Sequence, residues 1–244
     1  MLYYARIETL RTLRNKRYAI FVVVFPVALY LINSGIYGEQ TAAGGVRQSV
    51  YLMVSMACYG ALAAAMMSTA LPWAQERSSG WSDQLRVTPL PGWTVIAVKA
   101  GAALLLVLPA LALVFAAAVI VAGVSLPAGQ WALLVPALWL GTIPFAALGL
   151  AIGSLLPPDA AQPAAIAAMF GLSLAGGLWF PVEIMSGPLR AVAAATPVYR
   201  YAELGWSVVA GGGLPAAGLL SVLAWAVALG AAAVHAFRRA TVRS

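Results

Sequence analysis

Gln75, Glu76, Arg77, Asp83 and Arg86 are grouped in one short polar stretch, QERSSGWSDQLR (75–86), of a chain otherwise written largely in Ala, Leu, Val and Gly. Mixed charges at this spacing suit ion pairs and hydrogen bonds to another polypeptide. Catalysis is short of parts. His235 is the only histidine, so no Ser-His-Asp set can be built at any plausible site, and no carboxylate pair falls inside an apolar run. The single Cys58 sits among apolar residues and offers neither a disulfide nor a thiol metal site. A phosphate-binding loop needs Gly-Lys-Ser/Thr after a glycine-rich turn, whereas the two lysines read NKR (Lys16) and VKA (Lys99). The expectation is a chain that is not an enzyme and carries no metal or cofactor of its own.

The elements that must hold this stretch are apolar. Of 244 residues, 63% are hydrophobic and 9% charged, with a mean hydropathy of +0.91, against roughly 25% charged in soluble domains. That is the composition of an all-α polytopic membrane protein. The net charge of +7 does not point to nucleic acid, because the cations fall between apolar blocks, where they act as topology signals. Arg6, Arg11, Arg14, Lys16 and Arg17 precede an apolar run from Tyr18 to Ile32, as in a signal peptide. No small-residue cleavage site followed by a soluble domain appears, so the run reads as a retained first span.

A crossing helix needs about 20 apolar residues, and a central charge costs roughly 2.5 to 3.5 kcal/mol on insertion scales. Charges therefore mark the span ends. The run from Ala100 to Pro158 is too long for one span, and GVSLPAGQ (123–130) supplies a turn. Six spans are expected, at about 18–34, 48–72, 94–122, 131–155, 160–181 and 214–237. They form one membrane domain over 18–237, followed by a tail at 238–244. With the N-terminus inside, eleven of the fourteen Lys and Arg lie on the inner side, and Arg47, Arg190 and Arg200 lie outside. The positive-inside bias then puts both termini in the cytoplasm.

Residues 1–17 can form an amphipathic elbow helix on the inner surface, with Leu2, Ile7, Leu10 and Leu13 on one face. A plain basic flank is the alternative. After the fifth span, PVEIMSGPLRAVAAATPVYRYAELGW is too polar and Pro-rich to cross, and too apolar for a free loop. Short helices re-entering the outer leaflet are expected there.

No Asp, Glu or Arg lies between the ends of the six spans, so proton or sodium coupling has no machinery. An energised transporter of this design must borrow its motor. From Trp73 to Arg86 the polar stretch can be one short cytoplasmic helix, with Gln75, Glu76, Ser79, Asp83 and Arg86 toward water and Trp73, Trp81 and Leu85 toward the membrane or a neighbouring helix. TPLPGW stops it at Pro89 and Pro91. A solvated connecting loop is the competing reading.

The stretch QERSSGWSDQLRVTPLPGWTVIAVK resembles the cytoplasmic segment of type-2 ABC transporter permeases, through Glu76, Arg77, Gly80, Leu85, Arg86, Thr88, Pro89, Leu90 and Lys99. GGLWFPVEIMSGPLRAVAAATPVYRYAE resembles the same family's outer segment through Gly177, Phe180, Pro181, Pro188, Leu189, Pro197 and Tyr199, with Glu183 inside it. The resemblance implies a half-transporter. Two six-span subunits, identical or related, would form the pathway, and two separate cytosolic ATPase subunits carrying ATP and Mg would grip Gln75, Glu76, Arg77, Gly80, Asp83, Leu85 and Arg86 as a coupling helix. Ser78 and Ser79 depart from the pattern, since the family often has another charged residue after Glu-Arg.

The resemblance also implies that spans two and five line the passage. There Met53, Met56, Gly60 and Met67 recur at helical spacing, and Phe170, Ser173 and Gly177 face them with a small-xxx-small pair. Met re-packs around irregular apolar molecules. The expected cargo is hydrophobic or amphipathic, such as a drug, antibiotic or lipid exported across a bacterial plasma membrane. Polysaccharide or glycolipid export is the alternative within transport. A membrane scaffold or sensor that docks a cytosolic protein is the alternative outside it.

Overall fold

The computed structural model describes residues 20–42, 45–80, 92–180, 182 and 185–242. The expected elbow helix at 1–17, and Trp81, Asp83, Leu85, Arg86, Pro181 and Glu183, lie outside the described residues. The helices in chain order are α1 (Phe25–Tyr37), entered through a π-helical turn at Ile20–Val24, α2 (Gln48–Met67), α3 (Ala70–Ser78) and α4 (Gly92–Ile120). They are followed by α5 (Ala128–Leu140), α6 (Ile143–Leu155), α7 (Pro158–Ala175), α8 (Gly187–Ala195), α9 (Pro197–Val209) and α10 (Ala216–Val242). Outside the helices, an isolated antiparallel bridge joins Thr41 and Arg47 among the described residues.

Among the described residues, four stretches are long and apolar enough to cross a membrane: Gln48–Ser78, Val98–Ile120, Ala128–Leu155 and Ala216–Arg239. Val22–Tyr37 is a shorter apolar helix. α7, which begins Pro-Asp-Ala-Ala-Gln-Pro, has 18 residues. Its polar first turn explains why it falls short of a span by composition.

Prolines place the breaks. Pro72 has no N–H to return to the carbonyl of Ser68, and the ladder is interrupted between α2 and α3. Thr69 instead donates its hydroxyl to the Ala65 carbonyl at 2.8 Å. Pro144 does the same to the Leu140 carbonyl and separates α5 from α6. Pro26 withdraws a donor from Val22, and there the chain winds as π-helix.

α2 is the hub. It packs against α1, α4, α5, α6, α7 and α9, and every residue from Met53 to Met66 is buried. Its sequence explains this position: Ala, Gly and Ser let neighbouring backbones approach closely from several sides. The expected outer re-entrant segment holds two short helices, α8 and α9. α9 is seated deep against α2 and α5. Trp206 stacks on Tyr51 with ring centroids 4.8 Å apart and donates its indole N–H to Ser55 at 3.1 Å.

Candidate functional site

The polar stretch begins as the prolongation of the hub helix. α3 follows α2 after a one-step break, and the helix stops at Ser78. Gly80 then adopts φ +75°, the left-handed C′ geometry that glycine reaches without a Cβ penalty. This differs from the single helix expected over 73–86. Polarity alone cannot register a glycine stop.

Trp73, expected at a membrane surface or against a neighbour, is buried to 1% exposure. Its indole N–H donates to Ser154 Oγ at 2.8 Å, and Ser154 donates onward to the Leu150 carbonyl at 2.8 Å. Phe237 of α10 stacks on the Trp73 ring at 5.6 Å, and Lys99 Nζ lies 5.0 Å from its centroid. Lys99 also forms an ion pair with Glu76. One aromatic side chain thus gathers α4, α6 and α10 around α3.

Arg77 has a specific reason to be here. Pro157 and Pro158 follow α6 and have no N–H, so the carbonyls of Gly153 and Ser154 lack their usual i+4 donors. Arg77 supplies a replacement at Gly153, donating from Nε to its carbonyl at 3.4 Å, and its guanidinium also donates to the carbonyl of Leu156, just past the helix end, at 2.8 Å. A cation at a helix C-terminus is also favoured by the helix dipole.

The close approach of α3 to α6 rests on two glycines. A Cβ on Gly149 would lie 2.1 Å from Thr69 Oγ1, and one on Gly153 would lie 2.3 Å from the Ala70 carbonyl oxygen. Gly149-x-x-x-Gly153 is a contact within the chain.

Among the expected coupling residues, Gln75 is exposed, whereas Glu76 and Arg77 are half-buried and engaged with α4 and α6. Gly80 is the helix stop. Ser78 and Ser79 are exposed.

Of the expected passage residues, Met53, Met56 and Gly60 are buried inside the chain and Met67 is half-buried. A Cβ on Gly60 would lie 3.4 Å from Pro26 Cγ, ordinary contact distance. Phe170 joins Phe25, Tyr59 and Trp179 in an aromatic cluster with centroids 5.3 to 6.0 Å apart. Within that cluster Tyr59 OH and Trp179 Nε1 are buried without a hydrogen-bond partner. Ser173 is buried and donates to Met169 O at 2.7 Å, and Gly177 ends α7 at φ +78°.

In the outer segment Phe180 is 54% exposed. Pro197 starts α9, and Thr196 caps it by accepting from the Tyr199 N–H at 3.2 Å.

Sequence reasoning missed three features. The first is the α6 cap, signalled by Pro157-Pro158. The second is Tyr201, whose hydroxyl donates to Leu138 O at 2.6 Å. The third is the Arg200–Glu203 ion pair at 3.0 Å, carried on a helix packed alongside the spans; its i,i+3 spacing was the available signal.

With this geometry in view, the sequence profile of the family described as ABC-2 type transporter matches residues 2–207. The chain is also similar to a Bacillus subtilis (strain 168) protein named "Putative transport permease YvfS". The two are 27% identical over 207 residues, covering 84% of this chain and 83% of the relative.

Proposed function

The chain belongs to the ABC-2 type transporter family, and from that premise we propose that it is the permease subunit of an ATP-driven exporter of hydrophobic or amphipathic compounds. The transport permease named among its relatives supports the permease role. Members of the family work with a cytosolic ATPase. We assign two such subunits, carrying ATP and Mg, to a pair of these chains, identical or related.

The membrane plan follows the four long apolar helices together with α1 and α7 as two further crossings. Both termini then lie in the cytoplasm of a bacterial cell, and α8 and α9 re-enter from outside. The observation that carries the reading is the prolongation of α2 into α3. The stretch Gln48–Ser78 has 31 residues, about 46 Å of helix at 1.5 Å per residue, against a hydrocarbon core of about 30 Å. A strut of that length delivers displacement from a cytosolic surface into the centre of the bundle.

The cargo passes between α2 and α7 when they separate, over Met53, Met56, Gly60, Met67, Phe170, Ser173 and Gly177, with Phe180, Pro197 and Tyr199 at the outer exit. The apolar wall favours a lipophilic molecule over a polar polymer. The unpartnered Tyr59 and Trp179 donors suit a cargo bearing a hydrogen-bond acceptor.

The test reconstitutes the chain with its ATPase in inside-out vesicles and follows a lipophilic fluorescent dye. ATP-dependent dye accumulation and dye-stimulated hydrolysis are expected. A complex that binds the ATPase yet shows neither fits a docking scaffold and overturns the exporter reading.

A further inference from the structure

Two charged residues expected to grip the motor are turned into the membrane subunit. Glu76 is paired with Lys99 of α4, and their side chains are 23% and 21% exposed. Arg77 spends its guanidinium on the terminal carbonyls of α6. Between them Trp73 binds Ser154 of α6 and stacks on Phe237 of α10. The described side chains of the strut that remain exposed are neutral: Gln75, Ser78 and Ser79.

We infer that Glu76 and Arg77 are positioning residues that transmit the stroke to the inner ends of α4 and α6, and that the ATPase seats on the neutral face at Gln75, Ser78 and Ser79. This inference rests on the exporter reading above.

Three physical points carry it. Pro157 deprives the Gly153 carbonyl of its helical donor, so the need that Arg77 Nε meets there exists whether or not a motor is bound. A partly buried ion pair that loses one member leaves the other charge poorly solvated. Pulling Glu76 or Arg77 outward to meet a partner would break these ties. Finally, a Cβ on Gly153 would meet the Ala70 carbonyl oxygen of α3 at 2.3 Å and one on Gly149 would meet Thr69 Oγ1 at 2.1 Å, so there is no slack between strut and α6. Movement of α3 must carry α6, the second half of the stretch Ala128–Leu155, with it.

The experiment uses the complete complex in lipid nanodiscs. Spin labels at Leu155→Cys, 64% exposed at the inner end of α6, and Ile36→Cys, 64% exposed on α1, report the position of α6. Native Cys58 is fully buried and stays in place. Trapping the ATPase with ATP and vanadate is expected to shift the label distance in the otherwise unaltered chain.

Arg77→Gln and Glu76→Gln are expected to retain the ATPase at unaltered stoichiometry and to lose that shift. Arg77→Lys should restore part of it through one carbonyl bond. Ser154→Ala, which removes only the Trp73 acceptor, should reduce it, and this variant keeps the test decisive if the charge variants do not fold. Gln75→Arg combined with Ser79→Arg is expected to release the ATPase.

Loss of ATPase binding in Arg77→Gln would make Arg77 a docking residue and overturn the inference while leaving the exporter reading intact. An undiminished shift in the folded variants, or no shift in the unaltered chain with ATPase bound, also overturns it. Failure of the unaltered chain to bind any ATPase would instead remove the exporter reading.

Discussion

The hydroxyl of Tyr201 in α9 donates to the carbonyl of Leu138 in α5, at the break that Pro144 imposes before α6. A membrane interior provides no water for a released carbonyl, so a side chain from α9 does the work. The same ring lies 5.5 Å from Phe145 and presses on Gly141, where a Cβ would meet it at 2.6 Å.

Tyr201→Phe keeps the ring contacts and removes the donor. It is expected to lower stability by about 1–3 kcal/mol, the penalty of an unsatisfied buried polar group. Thermal unfolding in nanodiscs checks this, and an unchanged midpoint would mean that Leu138 O finds another donor.

The helix glycines should divide sharply. Gly153→Ala sets a methyl against the Ala70 carbonyl oxygen and is expected to cost about 1–3 kcal/mol through overpacking. Gly171→Ala meets nothing within 4 Å and should be neutral, or stabilising by up to about 1 kcal/mol through helix propensity. The same unfolding assay compares them, and equal effects would refute the close approach of α3 and α6.

Met53 is fully buried in the hub. Met53→Ala is expected to destabilise by about 2–5 kcal/mol, as large-to-small core changes do, whereas Met53→Leu conserves volume and should be tolerated. Phe170 is only half-buried, so Phe170→Ala should alter which lipophilic dyes stimulate the ATPase before it alters folding. A dye profile identical to that of the unaltered chain would return Phe170 to packing.

The proposed orientation predicts labelling by a membrane-impermeant maleimide. Glu39, whose side chain is 90% exposed, should react as Glu39→Cys in intact cells. Ser78→Cys should react only after permeabilisation. The reverse pattern would invert the topology.

Much of this architecture was legible along the chain. Charge-free runs and their bounding cations placed the four long apolar helices near where the structure has them, and the helix breakers in GVSLPAGQ placed the turn between α4 and α5. What could not be read was pairing at long sequence separation. Glu76 and Lys99 were both conspicuous, yet nothing local says that one neutralises the other. Trp73 was placed toward the membrane or a neighbouring helix, but nothing local names its partner, and its N–H found Ser154 at a sequence separation of 81. Pro157 after α6 announced an orphaned Gly153 carbonyl, and only three-dimensional packing could name Arg77 as its donor.

Encirclement of α2 bears on how the chain is made. This helix leaves the ribosome early, rich in small residues and with no stripe suited to acyl chains, while α7 and α9, which complete its enclosure, are synthesised more than a hundred residues later. Until then it must wait in the bilayer or beside the insertion machinery with its Ser and Tyr hydroxyls unshielded. A nascent chain stalled before α7 would therefore present an incompletely covered hub, giving membrane quality control a definite surface by which to tell unfinished subunits from finished ones.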